Sequence, residues 1–192
     1  MNKISVSLFL AMLISMPASA AWTLNSDEST LSFVSTKAIN AAEVHKFRSL
    51  EGGVDESGLA IVSIDLASVD SAIELRDERM REMLFETGTY ATATISAQID
   101  MAAIGEMGPG DSGTMTVMGE LDLHGEKVAL TFDVVAARLA EGKLLVMSQK
   151  PVVIGAQQFR LTQGLEKLRE IAGLPSISTA VPVSFVLSFD AQ

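Results

Sequence analysis

The two histidines are the residues best suited to acid–base or metal chemistry, and their contexts favour neither role. His45 and His124 lie about eighty positions apart, whereas the histidines of metalloprotease and zinc-finger sites are closely spaced. A serine nucleophile would need one of these histidines and a G-x-S-x-G turn, which surrounds no serine of this chain. We therefore expect no catalytic residue and no metal site. We interpret His124 as hydrogen-bonding a tight turn and His45 as lying near a strand edge.

The amino-acid composition disfavours further classes of function. The chain has no cysteine, so it has neither a thiol nucleophile nor a disulfide. Its 24 acidic residues single out no carboxylate pair of the glycosidase kind, although a mixed histidine–carboxylate metal site stays open. The glycine-rich stretch from Gly105 to Gly113 lacks the Lys-Ser/Thr ending of a phosphate-binding loop, and we expect no cofactor. A net charge of −10 disfavours nucleic acids and anionic membrane surfaces as partners.

The first twenty residues have the pattern of a secretory signal. Lys3 supplies a positive region, residues 4–16 form an apolar run, and Pro17-Ala18-Ser19-Ala20 ends in an A-x-A cleavage site. We therefore expect residues 1–20 to be removed and residues 21–192 to form one periplasmic domain. The run is shorter than the roughly 20 residues that span a bilayer. Because no other long apolar stretch follows, we expect no stable membrane insertion.

The rest of the chain is dominated by period-two alternation, which is typical of strands with one apolar face. The sequence therefore predicts a mainly β domain, either an eight-stranded antiparallel barrel or a sandwich. His124-Gly125 connects two strong strands and predicts a hairpin turn. The expected strands cover residues 31–33, 44–50, 61–66, 91–101, 114–123, 127–134, 144–149 and 181–189.

Two segments have helical periodicity instead. One runs from Arg76 to Phe85, and the other from Thr162 to Ala172 before a glycine and a proline. Arg76-Asp77 is consistent with a salt bridge at a helix start or with a cap oriented over a cavity mouth. The apolar residues Met80, Leu84 and Phe85 fit a packed core or a pocket for variable apolar chains. Two short helices on a set of strands are what a barrel with end caps would show.

Several short motifs occur in a fixed order along the chain. They are Trp22, Phe47-Arg48-Ser49-Leu50-Glu51-Gly52, Arg76-Asp77-x-x-Met80-x-x-x-Leu84-Phe85 with Tyr90, and Gly119 to Gly125. Together they resemble the YceI-like family of exported lipid-binding proteins over nearly all of residues 21–192. The chain departs from the family at residues 154–160, which lack the usual Phe-Gly pair, and at the helix that follows.

The resemblance implies an eight-stranded lipocalin-like barrel whose interior holds a polyisoprenoid or similar amphiphile. We expect the ligand to be a polyisoprenoid, quinone-like or fatty-acyl lipid, and from the lack of catalytic motifs we expect that the protein is not an enzyme. Small inward residues, among them Ala97 and Gly119, favour internal space, although small barrels also fill with side chains. The alternatives are a solid barrel that serves protein–protein interaction or stress response in the envelope, and an enzyme on the same fold. Ligand identity and a homodimer stay open. The expected cavity wall consists of Phe33, Val62, Ile64, Met80, Leu84, Phe85, Ile95, Ile99, Met115, Val117, Phe132, Phe159 and Phe185.

Overall fold

A computed structural model describes residues 20–139 and 142–192 of the chain. The expected signal segment, residues 1–20, lies outside the described residues except for Ala20, at which the first strand begins. The strands are β1 (Ala20–Lys37), β2 (Ala41–Phe47), β3 (Leu50–Asp55), β4 (Leu59–Asp65), β5 (Val69–Asp70), β6 (Thr92–Gln98), β7 (Ser112–Leu123), β8 (Glu126–Arg138), β9 (Lys143–Ser148), β10 (Val152–Gly155) and β11 (Ala180–Ala191).

Eight strands close into an antiparallel barrel. The ring runs β1-β3-β4-β6-β7-β8-β9-β11 and returns to β1, because β11 pairs with β1 from Trp22↔Ala191 to Phe33↔Val183. Closure satisfies the backbone groups that an open sheet would leave at its edges. The predicted eight-stranded barrel is confirmed.

The additional strand segments arise because two long strands bend. β2 and β3 both pair with β1, and they are separated only by Arg48-Ser49, whose two N–H groups donate to the Ser68 hydroxyl at 3.1 Å each. β9 and β10 both pair with β11 in the same way. Consequently β2, β1, β11 and β10 extend the barrel wall at one end.

The predicted hairpin turn is confirmed in detail. Leu123 pairs with Glu126, which leaves His124 and Gly125 as a two-residue turn with φ of 54° and 78°. Two consecutive positive φ values are typical of the type I′ turn, whose twist matches that of the flanking strands.

The helices differ from the expectation in two respects. The predicted helix near residue 76 is α1 (Glu74–Arg79), and it continues as a π-helical turn (Met80–Leu84), in which Phe85 N–H donates to Met80 O at 2.9 Å. The helix α2 (Met101–Glu106) was expected to begin as strand. The strand prediction to residue 101 is wrong because Asp100 caps this helix and accepts N–H bonds from Ala102 and Ala103. The predicted C-terminal helix is α3 (Thr162–Ile171).

One half of the barrel interior is filled with side chains. Strand register places this solid half at the end where β1 starts, β6 ends and α2 follows. The helix α2 closes that end with Ile104, which is 4% exposed. The buried residues of this half include Trp22, Leu24, Val54, Val62, Val134, Ala136, Leu144 and Phe189.

Candidate functional site

The opposite half of the barrel encloses a cavity of about 270 Å³. A void with room for one water molecule has a volume of only about 10–15 Å³, so this cavity is far larger than a packing defect. Inward faces of β1, β2, β4, β6, β7, β8, β10 and β11 form its wall, and α1, the π-helical turn and α3 cover it. We call these three helical segments the helical cap.

The wall is almost entirely apolar, and several of its residues keep exposed surface because they border empty space. Leu130, Val183 and Phe185 face inward on their strands but are only partly buried. On β8 the cavity ends at Phe132, since the next inward residue, Val134, is 3% exposed and belongs to the solid half. The ring of Phe132 meets that of Phe185 edge to face at 6.3 Å. These two aromatic residues contribute to the floor of the cavity.

The small residue Gly119 does not provide cavity space. A β-carbon at this position would lie 2.7 Å from Ser96 O and 3.2 Å from both Ala97 Cβ and Phe132 Cε2. The absence of a side chain therefore lets β6 and the Phe132 ring pack closely. This corrects the interpretation of Gly119 as a sign of internal space.

The helical cap is closely packed. A β-carbon at Gly164 of α3 would lie 2.5 Å from Met83 O and 2.8 Å from Leu84 Cα. Gly164 thus allows α3 to lie directly on the π-helical turn. The π-helical turn in turn directs Met80, Leu84 and Phe85 towards the interior, where all three line the cavity. The cap side of the cavity is completed by Leu161, Leu165, Leu168 and Ala172.

Charged residues gather at the open end of the cavity, which we call the mouth. It consists of Lys37, Glu43, Arg76 and Arg79. Lys37 lies 2.8 Å from Glu43, and Arg76 donates to Glu43 and, through Nε, to the Ser71 hydroxyl at 2.7 Å. The hydrogen bond from Lys37, assisted by Arg76, lowers the pKa of the Glu43 carboxyl. Lys37 and Arg76 side chains are about a quarter exposed (27% and 25%), so this end reaches solvent.

His45 lies between the mouth and the apolar wall. Its side chain points inward from β2 and is 3% exposed, and its ring meets Phe33 edge to face at 5.3 Å. Burial, reinforced by the positive charge of Arg76, lowers its pKa, so the imidazole is neutral near pH 7. Its Nδ1 has no hydrogen-bond partner among the described residues. The expectation that His45 lies near a strand edge missed this buried position.

His124 also differs from the interpretation given to it. Its Nε2 lies 3.2 Å from a Glu86 oxygen, and its ring packs on Tyr90 at 4.2 Å. The side chain therefore ties the hairpin to the segment after the π-helical turn rather than bonding the turn itself.

Eight of the residues expected in the cavity wall do line the cavity. The other five lie elsewhere because the void occupies only one half of the barrel. Val62, Ile99 and Met115 pack against the solid core, Val117 lies beyond the floor beside Phe132, and Phe159 is completely buried in the turn after β10. The residues at the cavity are Phe33, Ile64, Met80, Leu84, Phe85, Ile95, Phe132 and Phe185, and their contact with a ligand stays a prediction.

Sequence reasoning offered Arg76 at a cavity mouth as one of two alternatives, but it missed Lys37, Glu43 and Arg79 and part of the cap. The apolar faces of α3 and of β11 were visible signals for Leu165, Leu168, Val181 and Val183. No comparable signal existed for Lys37 and Glu43, because an inward charge on a strand only interrupts the alternation. Within residues 20–139 and 142–192, no cluster of three or more histidine, aspartate or glutamate side chains could hold a metal ion. In the same ranges, no helix has the length and apolarity to cross a membrane.

Comparison with known proteins gives consistent matches. The family model described as the YceI-like domain matches residues 22–189. The structure is similar to that of a polyisoprenoid-binding domain from Saccharophagus degradans, implicated in plant cell wall breakdown. The TM-score is 0.89 and the identity 39%, over 91% of this chain and 100% of that one. Comparison with curated protein sequences gives no significant match.

Two more distant structures share the fold. BcnA of Burkholderia cenocepacia has a TM-score of 0.65 and 21% identity, with 86% of this chain and 98% of that chain covered. A YceI protein of Campylobacter jejuni has a TM-score of 0.56 and 16% identity, with 77% and 84% covered.

Proposed function

Because this chain belongs to the YceI-like domain family, we propose that it binds one long apolar molecule, a polyisoprenoid or a fatty-acyl chain, inside the hollow half of its barrel. The observation that carries the proposal is the apolar cavity of about 270 Å³ between the floor and the helical cap. Pockets for small organic ligands have this character, with apolar walls and a few polar groups. The related Saccharophagus degradans domain, which is described as polyisoprenoid-binding, supports the same ligand class.

The energetics favour a chain rather than a small apolar molecule. Each methylene removed from water contributes about 0.8 kcal/mol, so ten contribute about 8 kcal/mol before the entropy of association is subtracted. That gross value corresponds to a dissociation constant near 1 μM. Useful affinity therefore requires more methylenes or an additional polar contact at the mouth.

The proposed role is carriage without catalysis, in the compartment to which the expected signal segment would export the chain. The alternative of a solid barrel is not supported in the half of the barrel that contains the cavity. There, Leu130 and Val183 point inward and are only partly buried because they border the void. The site contains no arranged nucleophile and base, since the buried His45 meets Phe33 and its Nδ1 is unpartnered among the described residues.

Titration of delipidated protein tests the proposal. A fluorescent polyprenyl or fatty-acyl probe should bind saturably with one-to-one stoichiometry. Leu130→Trp, which fills the cavity from β8, should weaken binding at least about tenfold, since it removes room for several methylenes. Thr131→Trp is the matched control, because the neighbouring side chain is exposed on the outer face and should leave affinity unchanged. Absence of binding across several chain types, or equal effects of the two tryptophans, would exclude the cavity as the binding site.

A further inference from the structure

Three segments from different parts of the chain meet at the outer side of the mouth. The turn between β1 and β2, residues 38–40, directly follows Lys37 of the mouth. The segment after α3 lies beside this turn, since Ala38 N–H donates to Ser176 O at 3.0 Å and Lys37 pairs with Ile177. The β1–β2 turn and the end of α3 are therefore neighbours at this end of the barrel.

The start of α1 is the third segment. Arg76 of α1 bonds Glu43 near the outer end of β2. Phe85, which follows the π-helical turn, meets Phe47 at the inner end of β2, with 5.7 Å between the ring centres. The helical segment thus runs inward along β2, and its first residues lie outermost, at the level of the mouth.

Each of these three segments exposes large aliphatic side chains. The exposed fractions are 86%, 53%, 55% and 46% for Ile39, Ile73, Leu75 and Ile171, respectively. We call these four residues the apolar rim. At the solid end of the barrel, by contrast, α2 buries Ile104. Single exposed aliphatic residues are common on protein surfaces, but four around one opening indicate an interaction surface.

The backbone at Ile39 has a conformation that its side chain disfavours. Its φ is 76°, following an Ala38 φ of 49°, and a positive φ is a genuine outlier for a β-branched residue. Asparagine or glycine would adopt this turn with less strain. Burial does not offset the strain, because the side chain is almost fully exposed. A contact outside the described fold would account for an isoleucine at this position.

The apolar rim fits a bilayer surface better than a protein surface. A stable protein–protein interface buries about 800 Å² on each partner in one packed patch, whereas the rim consists of separate side chains around a charged mouth. Such side chains can each enter the boundary between lipid head groups and acyl chains.

The charges around the rim indicate which bilayer fits. Both signs occur there, since Glu74 beside Leu75 pairs with Arg81. At the end of α3, Arg169 lies 3.6 Å from Glu170. The whole chain carries −10, so an anionic surface repels it. A zwitterionic surface, which also carries both signs without a net charge, is therefore the better complement.

We propose that the protein docks reversibly, with the mouth facing the membrane, on the surface of a zwitterionic phospholipid bilayer through the apolar rim. The inference rests on the proposed function, because a long apolar chain partitions into a bilayer and could pass from it into the cavity without crossing water. The contact is peripheral, since only the rim side chains enter the bilayer.

Flotation with phosphatidylcholine vesicles tests the docking in the ligand-free protein. The original protein should float with the vesicles. Ile39→Asn should lower the partition coefficient about tenfold, because an almost fully exposed isoleucine loses its apolar contact, and Leu75→Gln about fivefold. Asparagine tolerates a positive φ, so the turn keeps its shape. Met118→Gln is the matched control and should leave partitioning unchanged, since Met118 is 78% exposed on the outer face of β7 beside the cavity floor.

Three results would overturn the docking. They are a lack of flotation of the original protein, equal partitioning of Ile39→Asn and the original, and tighter binding to vesicles that contain phosphatidylglycerol. A concentration-dependent dimer that Ile39→Asn abolishes, in the absence of vesicle binding, would assign the rim to a second copy of the chain instead.

Probe titration without vesicles keeps the docking separate from the proposed function. Ile39 lies outside the cavity wall, so Ile39→Asn should bind a fluorescent polyprenyl or fatty-acyl probe in vesicle-free solution as tightly as the original protein does. Normal probe binding without flotation would overturn the docking alone. Failure of every probe to bind would overturn the proposed function, and flotation would still decide the docking.

Discussion

At the scale of single residues, the mouth shows how one carboxylate organises several cations. Glu43 accepts from Lys37 and from Arg76, and Arg76 also bonds Ser71, so β1, β2 and the start of the cap are joined at one point. An inward charged residue is tolerated on β2 because both partners lie within bonding distance and the zone reaches solvent. The same arrangement leaves Arg79 without an acidic partner among the described residues.

The depressed pKa of Glu43 makes the stability of the fold depend on pH. Since the folded pKa lies below the unfolded value near 4.5, this carboxylate stabilises the fold above pH 4.5 and loses that contribution as pH falls through the folded pKa. We expect Glu43→Gln to reduce stability at pH 7 and to flatten its decline between about pH 5 and pH 3. Urea unfolding at several pH values measures both effects. Glu56→Gln in the exposed β3–β4 turn is the control, and an unchanged pH dependence in Glu43→Gln would contradict the assignment.

At the scale of elements, the strands were predictable and the cavity boundary was not. Alternation along residues 114–134 indicates inward faces because side chains on a strand point to opposite sides. It does not show how far along the barrel those faces meet other side chains. Met115 and Leu130 therefore look equivalent in the sequence, yet α2 closes one end and leaves Leu130 beside the void. The sequence did not predict α2 because Met101 continues the alternation of β6. Asp100 is a favourable residue for a helix N-cap, but in an alternating pattern it also fits an outward polar position on a strand.

The contact between α3 and the π-helical turn gives the element-scale prediction. Gly164→Ala should introduce overpacking strain of about 1–3 kcal/mol, because the new β-carbon overlaps Met83 O and Leu84 Cα and both are backbone atoms. The gain in helix propensity offsets about 1 kcal/mol of this strain, so we expect a net destabilisation of up to about 2 kcal/mol. Urea unfolding measures the change. Gln163→Ala, at an exposed position of the same helix, should be nearly neutral. A Gly164→Ala variant more stable than the original would show that α3 can move away without cost.

At the scale of the whole molecule, the barrel combines the solid half with a half that contains the cavity. The packed half, with Trp22, Leu24 and Phe189 buried on β1 and β11, supplies core contacts that need no ligand. In the half that contains the cavity, side chains on the inner side of the wall lack dispersion contacts, since the void offers no partner atoms. Stability is therefore expected to be distributed unevenly along the barrel axis, with the helical cap and β10 opening most readily.

Hydrogen exchange tests this uneven distribution and its link to binding. In the ligand-free protein, amides of α3 and β10 should exchange at least about tenfold faster than those of β8 beyond Phe132, because the cavity separates the inner sides of α3 and β10 from the opposite barrel wall. A saturating ligand at about one hundred times its dissociation constant should stabilise the closed state by about 2.7 kcal/mol. That protection should appear in α1, α3 and β10 and should be absent from α2, which closes the solid half. Uniform protection of both halves would indicate that the barrel opens as one cooperative unit, and protection confined to α2 would place the ligand at the wrong end of the molecule.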